Sequence, residues 1–386
     1  MAKMICPRCM DVFLKEADSR CSGCGGDFCD FTNDDDFLRT EALRVAEERN
    51  AAGLGGLVRG LDCVIINTEP HTQKAAVQEL LACTGLKFEK AFEDSEAVTC
   101  VLGAAGTADF LVRSRKTPTP FEDVRAFPKA SGLPNTRLET FVFDVIDLER
   151  YVAIQQQRGI RFLSDEIIRA DGYCFIQTIP SSFSGISIGF IQWISPPKDY
   201  ASTESKPLDW SFRKPDSPFL ANIKELDHAA TRVEAKDRDP AIIEFMNLTS
   251  YNFDFSIYVK TFNSITNVAR LSKSDFAMVF TSGIHPYVDE GTSGPTEKFV
   301  HNYGKRVHHI AFNTEKIEST VDSLKSSGMQ FLLELVGSEE EGLKQIFSTP
   351  SRNTLLVNEY IHRYGDFDGF FTKGNVSLLT AATDKQ

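Results

Sequence analysis

The chain repeats itself, and whatever fold it adopts must repeat with it. The stretch "GLDCVIINTEPHTQKAAVQELLACTGLKFEK" at 60 to 90 parallels "ELDHAATRVEAKDRDPAIIEFMNLTSYNFDF" at 225 to 255, and "TRLETFVFDVIDLERYVAIQQQRGIRFL" at 136 to 163 parallels "KRVHHIAFNTEKIESTVDSLKSSGMQFL" at 305 to 332. Each reads as a short apolar strand, a helix with apolar residues at helical spacing, and a turn into further strands. In the second pair the helix stops at "RG" or "SG", where glycine serves as the C-terminal cap. Four such units predict an α+β chain of four βαβββ modules in two barrel-like halves. The halves fall at 59 to 195 and 226 to 386, and the Pro- and Ser-rich run at 196 to 225 reads as a linker. With 386 residues, 42% of them hydrophobic and 11% aromatic, the chain can fill both cores.

Ahead of the halves, "CPRC" and "CSGC" place Cys6, Cys9, Cys21 and Cys24 as two C-x2-C knuckles separated by eleven residues. Two tight turns at that spacing bring four thiolates around one tetrahedral Zn2+, and four cysteine ligands leave no open position, so the expectation is a small structural zinc ribbon over 1 to 30. Cys29 reads as a buried small residue. Residues 31 to 58 then read as an acidic N-cap region, an amphipathic helix and a Gly-rich stop, a helical tether to the main body.

A formal net charge of -12 excludes a general nucleic-acid binder, which needs clustered Lys and Arg to neutralise phosphates. Small-molecule or protein partners are expected instead. No apolar run reaches membrane-spanning length and the N-terminus lacks the pattern of a secretory signal, so the expected location is cytoplasmic, without a membrane partner.

Superposing the halves exposes a chemical difference. Where the first has Cys63, Thr140 and, by a looser alignment, Gln192, the second has His228, His309 and Glu359. Two neutral imidazoles and a carboxylate are the facial triad that holds Fe(II) on one octahedral face and leaves the other positions for substrate and O2. Strict strand alternation places Val307, His309 and Ala311 on one face and His308 on the other, and pairs Leu226 with His228. His308 is therefore expected to point away. Glu359 lies between apolar Val357 and Ile361, an expensive place for a carboxylate that is neither paired nor metal-bound. His71, His285, His301 and His362 read as ordinary polar residues.

The motifs "LDH" at 226, "VHHIAF" at 307, "GLKQIFSTPSRN" at 342, "NEYIHR" at 358 and "GFFTKGN" at 369 come in one order and spacing. In these the second half resembles 4-hydroxyphenylpyruvate dioxygenase and its relatives in the vicinal oxygen chelate superfamily; the first half resembles their metal-free domain more weakly. The resemblance implies a non-haem Fe(II) enzyme with His228, His309 and Glu359 as ligands. It implies a 2-oxo acid substrate that chelates the iron and reacts with O2, losing CO2 and becoming hydroxylated. Gln345 and Phe371 take the places of a polar and an aromatic residue facing the substrate, and Asn375 lies in the motif that opens the terminal lid helix. Ser264 or Thr266 supplies one further polar contact and Thr281 another, Thr281 replacing an Asn. Thr372 replaces a Gly, and Val357 an aromatic. These changes predict an intact iron shell around an altered substrate pocket, and the resemblance also suggests a homodimer or larger homo-oligomer. Two other readings remain: a ring-cleaving, catechol-type dioxygenase with the same ligands, and a metal-dependent binding or docking protein without turnover.

Overall fold

A computed structural model describes residues 3–5, 12–14, 33–365, 367 and 369–385. The cysteines of the expected zinc ribbon, Cys6, Cys9, Cys21 and Cys24, lie outside the described residues, as does Cys29.

Two mixed sheets build the α+β body, and each grows from two units of the same order. In the first half the strand Val58–Asn67, the helix Gln73–Cys83 and three strands ending at Asp109–Arg115 are followed by the strand Arg137–Val145, the helix Leu148–Gln157 and strands ending at Ser187–Trp193. In the second half the strand Ile223–Arg232, the helix Arg238–Leu248 and strands ending at Ala277–Ser282 are followed by Arg306–Thr314, the helix Ile317–Ser326 and strands ending at Leu343–Phe347 and Val357–Arg363. Within each half the two opening strands pair antiparallel, and the closing strand of each unit lies parallel to its own opening strand. The second half adds a helix Pro295–Tyr303 between its units and a terminal helix Lys373–Ala382.

The repeated helices bury the same spacing. Leu148, Tyr151, Val152 and Gln155 line the inner face of one, and Ile317, Thr320, Val321 and Leu324 that of its counterpart, the i, i+3, i+4, i+7 stripe of an amphipathic helix. A continuous apolar cluster runs through both halves. Across it Phe110 stacks on Phe312 with centroids 6.0 Å apart, and Phe143 meets Tyr251 edge-on at 5.3 Å. The halves approach backbone to backbone: a Cβ on Gly85 would sit 2.2 Å from the Ile223 carbonyl oxygen, so no larger residue fits there.

The helix read as a tether, Asp36–Ala51, is packed against the second half. Its buried Arg49 donates through Nη1 to the carbonyls of Met246, Thr249 and Tyr251 at 3.0, 2.8 and 2.9 Å, around the C-terminal end of the helix Arg238–Leu248 where a cation is favoured. Asp35, just before the helix, pairs with the fully buried Arg238 and accepts from Tyr258 Oη at 2.6 Å. Among the described residues no helix is long and apolar enough to cross a membrane.

Candidate metal centre

Three adjacent strands of the second sheet carry the three predicted ligands. On the central strand, Ala311 pairs with His228 on one neighbour and with Glu359 on the other. Residues at the same register share a face, and His309, two residues along from Ala311, shares it too. Ala311 is the small residue beneath the group, and the sheet curls so that the three side chains converge.

Two β-bulges decide what surrounds them. Leu226 pairs with Phe312 and His228 with Ala311, leaving Asp227 as an extra residue; Ala230 pairs with His309 and Thr231 with Val307, leaving His308 as another. A bulge breaks the period of two, so the alternation read from sequence is corrected here. Leu226 and Val307 belong to the apolar core, not to the ligand face. His308 does not point away: it is buried, and its Nδ1 lies 2.9 Å from His309 Nδ1.

His228 Nε2 lies 3.0 Å and His309 Nε2 3.4 Å from Glu359 Oε2, and one donor atom from each residue falls within 4.8 Å of the others. All three side chains are buried, and among the described residues neither His228 Nε2 nor Glu359 Oε1 has a hydrogen-bond partner. Buried donors left this way are costly unless a cation accepts them, so the residues present fit a divalent metal such as Fe(II).

The electrostatics fit as well. His228 donates from Nδ1 to Asp227 Oδ1 at 2.7 Å, which fixes the tautomer with Nε2 free for a metal. Asp227 is in turn held by Arg363, whose Nη2 donates at 3.1 Å and whose Nη1 also contacts it. Burial pushes the Asp227 carboxyl up, but Arg363 and His228 outweigh it and hold it well below the usual range. For His228 burial pulls downward, and the charges of Glu359 and Asp227 overcome it, raising the imidazole to about 9. Burial, then the neighbouring His308, His228 and Arg232, push His309 well below its ordinary value, so it stays neutral with its lone pair available.

A cavity of about 50 Å³ opens beside His309 and Glu359. Ser264, Thr266, Thr281, Gln345 and Phe371 all line it. Gln345 is fully buried with neither amide atom partnered, and the Thr281 hydroxyl is likewise free, whereas Ser264 Oγ meets Thr296 Oγ1 at 3.2 Å. Phe371 stands edge-on to His228 with centroids 5.2 Å apart. Asn375 is not brought to the cavity: its Nδ2 donates to the Leu343 carbonyl at 3.3 Å, and its backbone N–H is capped by Thr372 Oγ1 at 3.2 Å, so it fastens the terminal helix. That helix closes the cavity with Val376, Leu379 and Thr380.

Register corrects one further expectation. Gly189, not Gln192, is the counterpart of Glu359, because Gly189 pairs with Val142 as Glu359 pairs with Ala311. Gln192 instead accepts from the Leu148 backbone N–H at 2.9 Å, at the start of a helix. Reading by sequence also missed Asp227, His308, Arg363 and Arg232. Arg363 carried a signal, being four residues from Glu359 and hence on its face; the bulged pair carried none.

No protein-family model and no curated protein sequence matches the chain. Solved structures do. A mutant of 4-hydroxymandelate synthase from Streptomyces coelicolor superposes with a TM-score of 0.63 at 16% identity, over 85% of this chain and 98% of that one. A xylose isomerase-like TIM barrel/4-hydroxyphenylpyruvate dioxygenase fusion protein superposes with a TM-score of 0.59 at 13% identity, over 90% of this chain and 58% of the fusion protein. At such identities the likeness is one of fold, and the paired βαβββ units with a buried His-His-Glu group are consistent with a vicinal oxygen chelate fold.

Proposed function

We propose that the protein is a non-haem Fe(II)-dependent dioxygenase that oxidatively decarboxylates a 2-oxo acid and hydroxylates the same molecule, on a substrate other than 4-hydroxyphenylpyruvate. The observation that carries this reading is the buried group of His228, His309 and Glu359, in which His228 Nε2 and Glu359 Oε1 have no hydrogen-bond partner among the described residues, next to a cavity. Bound Fe(II) supplies a Lewis acid to orient a chelating 2-oxo acid and the one-electron chemistry that O2 requires.

The chain's own residues do the rest. His228, His309 and Glu359 would hold the ion, and Asp227 with Arg363 locks the His228 ring. Gln345 offers an unpaired amide to the substrate, and Phe347 and Phe371 form an apolar wall that keeps water from the reacting centre. The helix Lys373–Ala382 lines the cavity with Val376, Leu379 and Thr380, where its displacement would admit a 2-oxo acid and its return would exclude water.

The test is anaerobic loading with Fe(II), then O2 uptake and CO2 release against a panel of aryl and alkyl 2-oxo acids. Stoichiometric CO2 with at least one of them is expected. Tight iron binding without CO2 from any would defeat the proposal.

A further inference from the structure

The cavity contains a cation that no described residue neutralises. Arg232 is 5% exposed and lines the cavity with His309 and Glu359. It makes no hydrogen bond or ion pair with any described residue, and its Nη1 is buried without a partner. Phe299 covers one face of the guanidinium, 4.5 Å from its ring centroid. Burial alone lowers this arginine to about 9, and no carboxylate acts against it. Arg238, buried as deeply, commits its guanidinium to Asn267, Ser256, Asp35 and Asp239. An unpaired buried guanidinium is among the more destabilising things a core can hold, and a ligand that pairs with it is the usual reason for one.

Its place in the strand says which part of a ligand it meets. Arg232 lies four residues beyond His228 on Ile223–Arg232, roughly 13 Å along the strand, but only two residues, roughly 7 Å, beyond Ala230, which pairs with His309. There it pairs in register with Thr281, whose hydroxyl is also buried and free. Arg232 and Thr281 thus sit one step along the sheet from His309, an open fork of N–H donors with a hydroxyl on the side of the metal-binding group away from His228.

Resting on the dioxygenase reading, we infer that the substrate is a 2-oxo acid bearing a second carboxylate at its far end, which Arg232 receives with Thr281. The guanidinium fork matches a carboxylate and not a lone phenol, so the residue selects dianionic acids over acids with a neutral tail.

Calorimetry on Co(II)-loaded protein under nitrogen tests this with 2-oxoglutarate, 2-oxoadipate and 4-carboxyphenylpyruvate against phenylpyruvate and 4-hydroxyphenylpyruvate. At least one diacid should bind roughly 10- to 100-fold more tightly than the neutral-tailed acids, and Arg232→Met should erase that margin while leaving phenylpyruvate unchanged. Equal losses for both classes would place Arg232 at the metal-bound carboxylate and overturn the inference. The ligand-free R232M variant should melt at a higher temperature than wild type, because an unpaired buried charge is gone; a lower Tm would make Arg232 structural and overturn it as well. Adipate and glutarate, which lack the 2-oxo group, separate the two readings. If they raise the Tm of wild type but not of R232M while no 2-oxo acid yields CO2, the anion site stands and the dioxygenase reading falls. If 2-oxo acids are oxidised but no dianion depends on Arg232, the reverse holds.

Discussion

The two halves carry the same backbone device and fill it differently. Both opening-strand pairs are bulged at matching places: Asp62 is the extra residue where Asp227 is, and Glu139 where His308 is. Register makes Cys63 the counterpart of His228, Thr140 of His309, Gly189 of Glu359 and Val142 of Ala311. In the second half the bulged Asp227 orients His228; in the first, Asp62 accepts from Trp193 Nε1 at 3.0 Å and Tyr200 Oη at 3.1 Å and pairs with Lys198. The bulged Glu139 pairs with Arg115. Burial, then the charge of Asp62, pushes the Cys63 thiol well above its ordinary value, so it supplies no thiolate. The comparison teaches that the bulges belong to the scaffold, and that the candidate metal group is a few side chains grafted on it.

The strongest way to break that statement is to make the second half resemble the first. Glu359→Gly and His309→Thr each install a residue that the same backbone position already tolerates in the first half. Each should leave circular dichroism unchanged and abolish stoichiometric metal, read as metal content after dialysis against Fe(II) or Co(II). A full equivalent retained by either of them would remove that residue from the ligand set. The reverse graft, Cys63→His with Thr140→His and Gly189→Glu, should gain no metal, because the space at Gly189 is already taken.

Next in size is the orienting carboxylate. Asp227→Asn keeps the shape and loses the charge that fixes His228, so metal affinity should fall by about 10- to 100-fold with the fold intact. Asp62→Asn, its counterpart, should leave metal affinity where it was. A competition titration with a chelator of known affinity measures both, and equal effects would mean that Asp227 acts through stability alone.

What could be read in advance follows from what repeats. The four units, their helices and the three residues now found within 4.8 Å of one another were visible because each departs from a copy elsewhere in the chain. The bulges were not visible, since an inserted residue changes neither composition nor length in a way that marks it. That is why His308 was turned the wrong way and Asp227 passed over. The last strand of the first half lacks any acid, so its alignment slid by three, from Gly189 to Gln192. Arg232 carries no mark in the sequence beyond its place at a strand end, and its burial and lack of a partner among the described residues single it out.

A smaller effect tests the floor of the site. Ala311 lies between His228 and Glu359 in register, where the first half has Val142. Ala311→Val adds bulk to a closed layer and should cost about 1 to 3 kcal/mol of stability, with weaker metal binding because the ligands are spread. A variant that melts like wild type and binds metal equally well would show that the space under the group is not filled.

The smallest effect is expected at Gly189. A Cβ there would meet Val142 Cγ2 at 3.0 Å, Phe175 Cε2 at 3.1 Å and Thr140 Cγ2 at 3.2 Å, so three side-chain ends must each give by a few tenths of an ångström. Gly189→Ala also removes the backbone freedom of glycine from the unfolded chain, worth roughly 0.4 to 1 kcal/mol in the stabilising direction. The two effects nearly cancel, leaving a net loss of about 1 kcal/mol or less, and metal content should not change because no ligand lies in this half. Calorimetric melting of G189A against wild type measures the balance. A clear rise in Tm would show that the first half has room at the position where the second places its carboxylate, and the failure predicted for the reverse graft would lose its steric basis.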